Sequence, residues 1–327
     1  MTTHAPAPPV GFRHGLAWTA LAAVFLLMTL GNIVSATGSG LACPDWPLCH
    51  GSVIPPLEPA VLIEYSHRLA AAMASGLLVA TIVVTIRGAS DAPVRRLGVV
   101  LLVLLGVQIG LGGITVLLRL PHLVSTAHLV TALLILAGLV LLCARGRGPT
   151  TPERTGKIAR LCRAGLVALL VQLALGGYVR HSGAGLACPD FPLCSGSVLP
   201  EHWLGAVHWV HRWLGVALLG LFLHVSAAGR RTALRVECLV VAVLATCQVG
   251  LGIATVLVRL DPVVRALHAA TGYALWATLV WLAARSGVFD RLIAAGPRVA
   301  AHITGVAARP ARAGGNPGRR GSGRATR

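Results

Sequence analysis

Eight long apolar runs constrain what this chain can fold into. They lie near residues 15–36, 66–86, 96–118, 123–143, 161–180, 206–228, 234–258 and 265–284, each close to the roughly 20 residues that a bilayer-spanning helix needs. Open sheets leave backbone groups unpaired in lipid, so runs of this length read as helices and the chain reads as an all-α polytopic membrane protein. Only 12% of the 327 residues are charged, about half the fraction usual in soluble domains, which argues against a water-soluble globule. The formal net charge of +18 belongs to no nucleic-acid binder, because such proteins combine basic charge with a polar surface.

The positive charge has an address. Arg87, Arg95 and Arg96 lie between spans two and three, Arg145, Arg147, Arg154, Lys157, Arg160 and Arg163 between four and five, and Arg230, Arg231 and Arg235 between six and seven. Lys and Arg in short loops stay on the cytoplasmic side, so these loops and both termini are expected inside a bacterial plasma membrane. The first span is too long for a removable signal peptide and is expected to remain as a helix. The expected organisation is a cytoplasmic tail at 1–14, four-helix bundles at 15–145 and 161–285, a cytoplasmic linker at 146–160, and a basic, disordered cytoplasmic tail at 286–327.

The two bundles are expected because the sequence repeats. Gly-Ser-Gly-Leu-Ala-Cys-Pro-Asp-Trp-Pro-Leu-Cys at 38–49 recurs as Gly-Ala-Gly-Leu-Ala-Cys-Pro-Asp-Phe-Pro-Leu-Cys at 183–194. Gln108, Gly110, Leu111, Gly112 and Arg119 recur as Gln248, Gly250, Leu251, Gly252 and Arg259; His67-Arg68 maps onto His211-Arg212, and His128 onto His268. Halves with an even number of spans share one orientation and are related by an axis along the membrane normal.

Cys43 with Cys49 and Cys188 with Cys194 fall in loops that the charge rule places outside, where a short-range disulfide in each is the simplest reading. Such a pair is either a static staple or redox-active; zinc is disfavoured, because each loop offers two thiolates and no spaced pair of His ligands, although His50 is adjacent. Cys143, Cys162, Cys238 and Cys247 read as small core residues.

The strongest chemical signal is four histidines. His67 and His128 stand near the outer ends of spans two and four, and His211 and His268 repeat this on spans six and eight. Two imidazoles at similar depth on parallel helices suit bis-histidine ligation of a haem iron; the alternative is hydrogen-bonded core histidines, unusual for ionisable groups in spans. Three residues before His67, on the same helical face, stands Glu64, where the second half has His208. A carboxylate there either takes part in proton or charge handling beside a haem or is an interfacial residue pointing at water. Arg68 and Arg212, or Arg119 and Arg259, suit haem propionates, with snorkelling to lipid headgroups as the alternative. Gln108 and Gln248 read as interhelical hydrogen-bonding residues, Gly110-Leu111-Gly112 as a close-packing element, and His122, His181, His202 and His224 as residues without a repeated role.

As a constellation, Glu64-Tyr65-Ser66-His67-Arg68, His128, His211-Arg212, His268 and the two cysteine pairs resemble the heme A synthase family over about residues 15–285. The resemblance implies an enzyme that oxidises the C8 methyl of heme O to the formyl group of heme A for terminal oxidases. It implies that His67 and His128 bracket heme O and its product, that Glu64 assists the chemistry, and that His211 and His268 hold haem b. It also implies disulfides Cys43–Cys49 and Cys188–Cys194. The expected partners are the lipid bilayer and heme O, with a heme O synthase, an oxidase assembly factor and a homo-oligomer as candidates. Two rivals use parts of the same residues. A dihaem cytochrome b-like carrier needs the four histidines but no Glu64, and a quinone-linked thiol oxidase needs the cysteines but no histidine pairs.

Overall fold

The computed structural model describes residues 10–89, 91–145 and 152–290. Eight α-helices run in order: α1 Val10–Ala36, α2 Pro59–Gly88, α3 Ala92–Leu117, α4 His122–Ala144, α5 Pro152–His181, α6 Trp203–Gly229, α7 Arg235–Leu257 and α8 Pro262–Arg285. All eight are long and apolar enough to cross a membrane, and no strand occurs among the described residues. A single 3₁₀ turn, Ala184–Leu186, precedes the second cysteine pair.

The helix ends follow backbone chemistry more than hydropathy. Proline opens α2, α3 and α8, where its missing N–H has no intrahelical acceptor to lose. Asp261 caps α8 by accepting from the N–H groups of Val263 and Val264. Helix α5 begins at Pro152, within the stretch expected as a linker at 146–160, because its cationic first turns can be helical without being apolar. Of the expected tails, 1–14 and 286–327, residues 1–9 and 291–327 lie outside the described residues, while α1 already begins at Val10, inside the stretch expected as the first tail.

Packing sorts the helices into a centre and two flanks. Helix α4 packs on α1, α3, α5 and α8, and α8 packs on α1, α4, α5 and α7. Accordingly α4 buries an almost continuous run from Thr131 to Ala144, and α8 one from Gly272 to Ala284. Inside this centre the Trp276 indole N–H donates to the Leu133 carbonyl at 2.8 Å, giving an amphipathic ring a polar partner away from water. Helices α2 and α3 flank one side through α1 and α4, and α6 and α7 the other through α5 and α8. Their outer faces carry exposed Leu69, Met73, Val103, Leu223 and Val243, the composition a lipid-facing surface requires.

Candidate functional site

At one end of the helices the two cysteine loops fold alike. Cys43–Cys49 and Cys188–Cys194 are both disulfide-bonded. Asp45 accepts from the N–H groups of His50 and Gly51, each at 2.7 Å, and Asp190 accepts from Ser195 and Gly196 at 2.7 and 2.8 Å. Those turns need positive φ at His50, Gly51, Ser195 and Gly196, and the aspartate bonds hold them there. The Gly51 N–H foremost keeps the Asp45 carboxyl below its ordinary value, and the Gly196 N–H does the same for Asp190. The ring of Trp46 reaches over α3 to Gly113, whose added Cβ would stand 3.1 Å from it; its counterpart Phe191 lies under the Arg212 guanidinium, 5.3 Å from ring centroid to Cζ.

Each loop is tied to the helix that carries a proposed haem ligand. Arg68 donates to the carbonyls of Cys43, Asp45 and Leu48, and Arg212 donates to those of Cys188, Asp190 and Leu193 at 2.8 to 3.0 Å. The guanidinium forks thus knit the loops to α2 and α6. Glu64 is 3% exposed, which removes the reading of it as an interfacial residue pointing at water. Its Oε2 accepts from the Cys43 N–H at 2.9 Å and its Oε1 from Arg68 at 2.6 Å. His208, without an assigned role from sequence, occupies the same place: its Nδ1 accepts from the Cys188 N–H at 3.3 Å.

Below the loops, the four histidines share an environment that sequence reasoning missed. A Cβ placed on Gly31 of α1 would stand 2.8 Å from His67 Cε1, and one on Gly176 of α5 would stand 2.8 Å from His211 Cε1. Gly112 of α3 and Gly252 of α7 stand in the same relation to His128 and His268, at 3.3 and 3.1 Å. Each ring is therefore seated against a glycine of the preceding helix. The signal was present in the repeat, since Gly31 and Gly176 keep the 145-residue offset of the cysteine loops, but an isolated glycine in an apolar helix carries no chemistry of its own.

The Nδ1 atoms of all four rings are buried without a hydrogen-bond partner, a condition that ordinarily costs about 1–3 kcal/mol per group. The Gln108 amide nitrogen lies 3.2 Å from His128 Nε2, and that of Gln248 3.4 Å from His268 Nε2. Each glutamine amide thus shares a hydrogen bond with the Nε2 of the histidine one helix on.

In the second half His211, His268, Gln248 and Gly252 line one cavity of ≈ 270 Å³, near the lower end of pockets that enclose small-molecule ligands. Its walls are mostly apolar, with Leu173, Leu218, Phe222, Val249 and Ile253. His208, Arg212, Arg180 and Arg265 supply its polar and cationic groups. Glycine-backed rings of two imidazoles on one cavity and its apolar walls fit a planar macrocycle held between them. Among the described residues no group of three or more His, Cys, Asp or Glu could hold a bare metal ion.

Elsewhere the histidines are dispersed. His122 opens α4 and meets the Tyr178 ring edge-on, His202 caps α6 through Gly205 N–H, and His181 ends α5. Arg119 and Arg259 take positive φ, as do Leu120 and Leu260 after them, closing α3 and α7 so that each leucine rests on Gly40 or Gly185 of a cysteine loop. Cys143, Cys162 and Cys238 are buried and Cys247 is exposed.

The fold and these sites define a multi-pass helical membrane protein with glycine-backed imidazoles in two matched sets, one of which, His211 with His268, opens on a mostly apolar cavity. The chain matches the model of the family described as cytochrome oxidase assembly protein, COX15-CtaA, over residues 14–280. It is 36% identical over 211 residues to the heme A synthase of Symbiobacterium thermophilum, covering 60% of this chain and 68% of that protein. It is 31% identical over 261 residues to that of Bacillus licheniformis, covering 74% and 85%, and 32% identical over 250 residues to that of Shouchella clausii, covering 72% and 83%. The chain belongs to the heme A synthase family.

Proposed function

We propose that the chain is an oxidoreductase that converts heme O to heme A, with the substrate macrocycle between His67 and His128 and a haem b between His211 and His268. The observation that carries this reading is the fourfold recurrence of a half-buried imidazole, its Nδ1 buried and without a partner, seated on a glycine, in two pairs. The first bundle, 15–145, is the substrate half and the second, 161–285, the haem b half, related by tandem duplication. Within each, helices meet in a closed ring: α1 to α4 in the first and α5 to α8 in the second.

The methyl group of heme O has no acidic proton, so its oxidation draws on redox chemistry that haem supplies when bound, while the protein orients and stabilises. The imidazole pair fixes the plane of the macrocycle. Glu64 stands on α2 one turn from His67 and is the one buried carboxylate at a position the other half fills with a histidine. It stabilises positive charge at the methyl under oxidation and receives the protons that leave. Arg68 holds the Glu64 carboxylate and, with Arg212, fixes each disulfide loop above its ligand pair; Arg212 also reaches the haem cavity. A farnesyl-bearing substrate accounts for a site set within membrane-spanning helices. The arginine-rich connections and both termini, 1–14 and 286–327, lie in the cytoplasm, and the cysteine loops face outward.

Extracting the pigments of the purified full-length protein, expressed with a heme O source, tests this reading. Heme O or heme A together with haem b supports it. Haem b alone would point to the dihaem carrier, and absence of haem to a thiol enzyme.

A further inference from the structure

The two halves differ at one further matched pair of positions. Counting from the ligand machinery, Arg180 lies four residues after Gly176, and its counterpart four residues after Gly31 is Ser35; Arg265 lies three residues before His268, and its counterpart three before His128 is Ser125. Spacings of three and four put each of these residues on the same helical face as its glycine or histidine, one turn nearer the end that carries the cysteine loops. The second cavity is thus roofed at that end by two guanidinium groups, and the corresponding places in the first half hold two hydroxyls.

Both arginines line the cavity with His211 and His268, and no Asp or Glu lines it. Their bonds within the protein are to carbonyls and a hydroxyl: Arg180 donates to Asn32 O at 2.7 Å and Ser35 Oγ at 2.9 Å, and Arg265 to Ala36 O at 3.4 Å. These contacts orient the guanidinium groups against the end of α1 but leave two positive charges without a counter-charge at the rim. Both arginines are half-buried, and partial removal of a cation from water without an anion beside it carries a cost. Asn32, whose carbonyl accepts from Arg180, is 4% exposed with its Oδ1 buried and unpaired, and it also lines the cavity. In the first half the Ser125 hydroxyl is buried without a partner.

We propose that Arg180 and Arg265 are a carboxylate clamp that retains the macrocycle of the second half through its propionates, and that Ser35 and Ser125 leave the first-half macrocycle free to enter as substrate and leave as product. This rests on the assignment of a haem to each half made above. A resident cofactor must stay bound through many turnovers and a substrate must not, so a difference in anchoring is what the two roles require. Guanidinium–carboxylate pairs in low dielectric are the strong, geometrically specific form of such an anchor. The same positive charges favour the reduced, more negative state of a nearby haem.

The test compares the wild-type full chain with Arg180→Gln, Arg265→Gln and the double variant, purified in detergent and mixed with excess apomyoglobin as haem acceptor. Because haem b and heme O or A are separable after extraction, loss from the two halves is read independently. The double variant should release haem b faster by on the order of tenfold or more, with first-half pigment leaving at the wild-type rate and the haem b midpoint potential lowered. Arg180→Lys, which keeps the charge, should release haem b at an intermediate rate. Conversely, Ser125→Arg should slow the loss of heme O or A. A double variant that folds, retains first-half pigment and releases haem b at the wild-type rate and potential would overturn the clamp while leaving the haem assignment standing. Loss of a co-purifying anionic phospholipid with haem b unaffected would overturn it in favour of a lipid site. A wild-type protein without haem b fails the underlying assignment instead.

Discussion

Glu64 and His208 hold the same bond in the two halves: Oε2 of one accepts the N–H of Cys43 at 2.9 Å, and Nδ1 of the other accepts the N–H of Cys188 at 3.3 Å. Anchoring a disulfide loop therefore requires an acceptor at this position but not a charge. The carboxylate in the first half is left with a second property, its negative charge beside His67, that anchoring does not explain.

That separation predicts different outcomes for different substitutions. Glu64→His should reproduce the anchor of the second half, leaving Cys43–Cys49 as slow to reduce as in wild type, yet lower heme A formation by about a hundredfold or more. Glu64→Gln should do the same with haem still bound. Glu64→Ala should remove both properties, leave the Cys43 N–H and part of the Arg68 guanidinium unpaired at a cost of about 1–3 kcal/mol, and accelerate disulfide reduction. Product analysis beside thiol labelling checks this; heme A formation by Glu64→Gln at the wild-type rate would remove the carboxylate from the chemistry.

The glycines behind the ligands predict a graded series. An alanine at Gly31 or Gly176 puts a methyl 2.8 Å from an imidazole carbon, whereas one at Gly112 or Gly252 puts it at 3.3 or 3.1 Å. Overpacking of this kind costs about 1–3 kcal/mol and here displaces a ring. Gly31→Ala should deplete the first-half pigment and Gly176→Ala haem b, each more severely than its partner Gly112→Ala or Gly252→Ala. Haem stoichiometry by pigment extraction gives the order, and equal loss in all four would contradict the ring-seating role.

How much of this was legible in the sequence depends on whether a residue carried a signal by itself. The eight spans follow from hydropathy, and His67, His128, His211 and His268 stand out because ionisable side chains are rare in apolar runs. The cysteine pairs are exposed by the repeat and are joined in the structure. Gly31 and Gly176 were not legible, since closeness to a ring on another helix is a tertiary fact. Arg180 and Arg265 carry no signal in the repeat for a related reason: a repeat marks matches, and these residues matter as mismatches with Ser35 and Ser125. The start of α5 at Pro152 lies well before its apolar run because a helix does not have to end where hydropathy does.

The aspartate-centred loops predict a pH dependence. Backbone N–H groups, that of Gly51 first for Asp45 and that of Gly196 first for Asp190, hold these exposed carboxyls below the ordinary value of 3.8. A lowered folded value means that the contribution is fully present above the ordinary carboxylate value and is lost as pH falls through the lower, folded one. Reduction of the two disulfides by a phosphine should therefore stay slow from neutral pH down to about 4 and accelerate only below that. In Asp45→Asn the Cys43–Cys49 bond should reduce quickly throughout, while Cys188–Cys194 keeps its profile. A common acceleration near neutrality would show that another group governs the loops.

Gln108 and Gln248 give a prediction of unusual sign. Each amide is hydrogen-bonded to Nε2 of His128 or His268, the atom that an iron would take, so in the absence of haem the amide is a competitor of the metal. Replacing it by leucine removes a neutral hydrogen bond that contributes about 0.5–1.5 kcal/mol to the haem-free state. Gln248→Leu should then bind haem b more tightly by roughly twofold to tenfold, and Gln108→Leu should do the same for the first-half macrocycle, both with lower thermal stability before haem is added. Haem titration of the haem-free variants measures the effect. Weaker binding would mean that the glutamines support the ligated state, for example by holding the imidazole planes, and would assign them to the site as positioning residues.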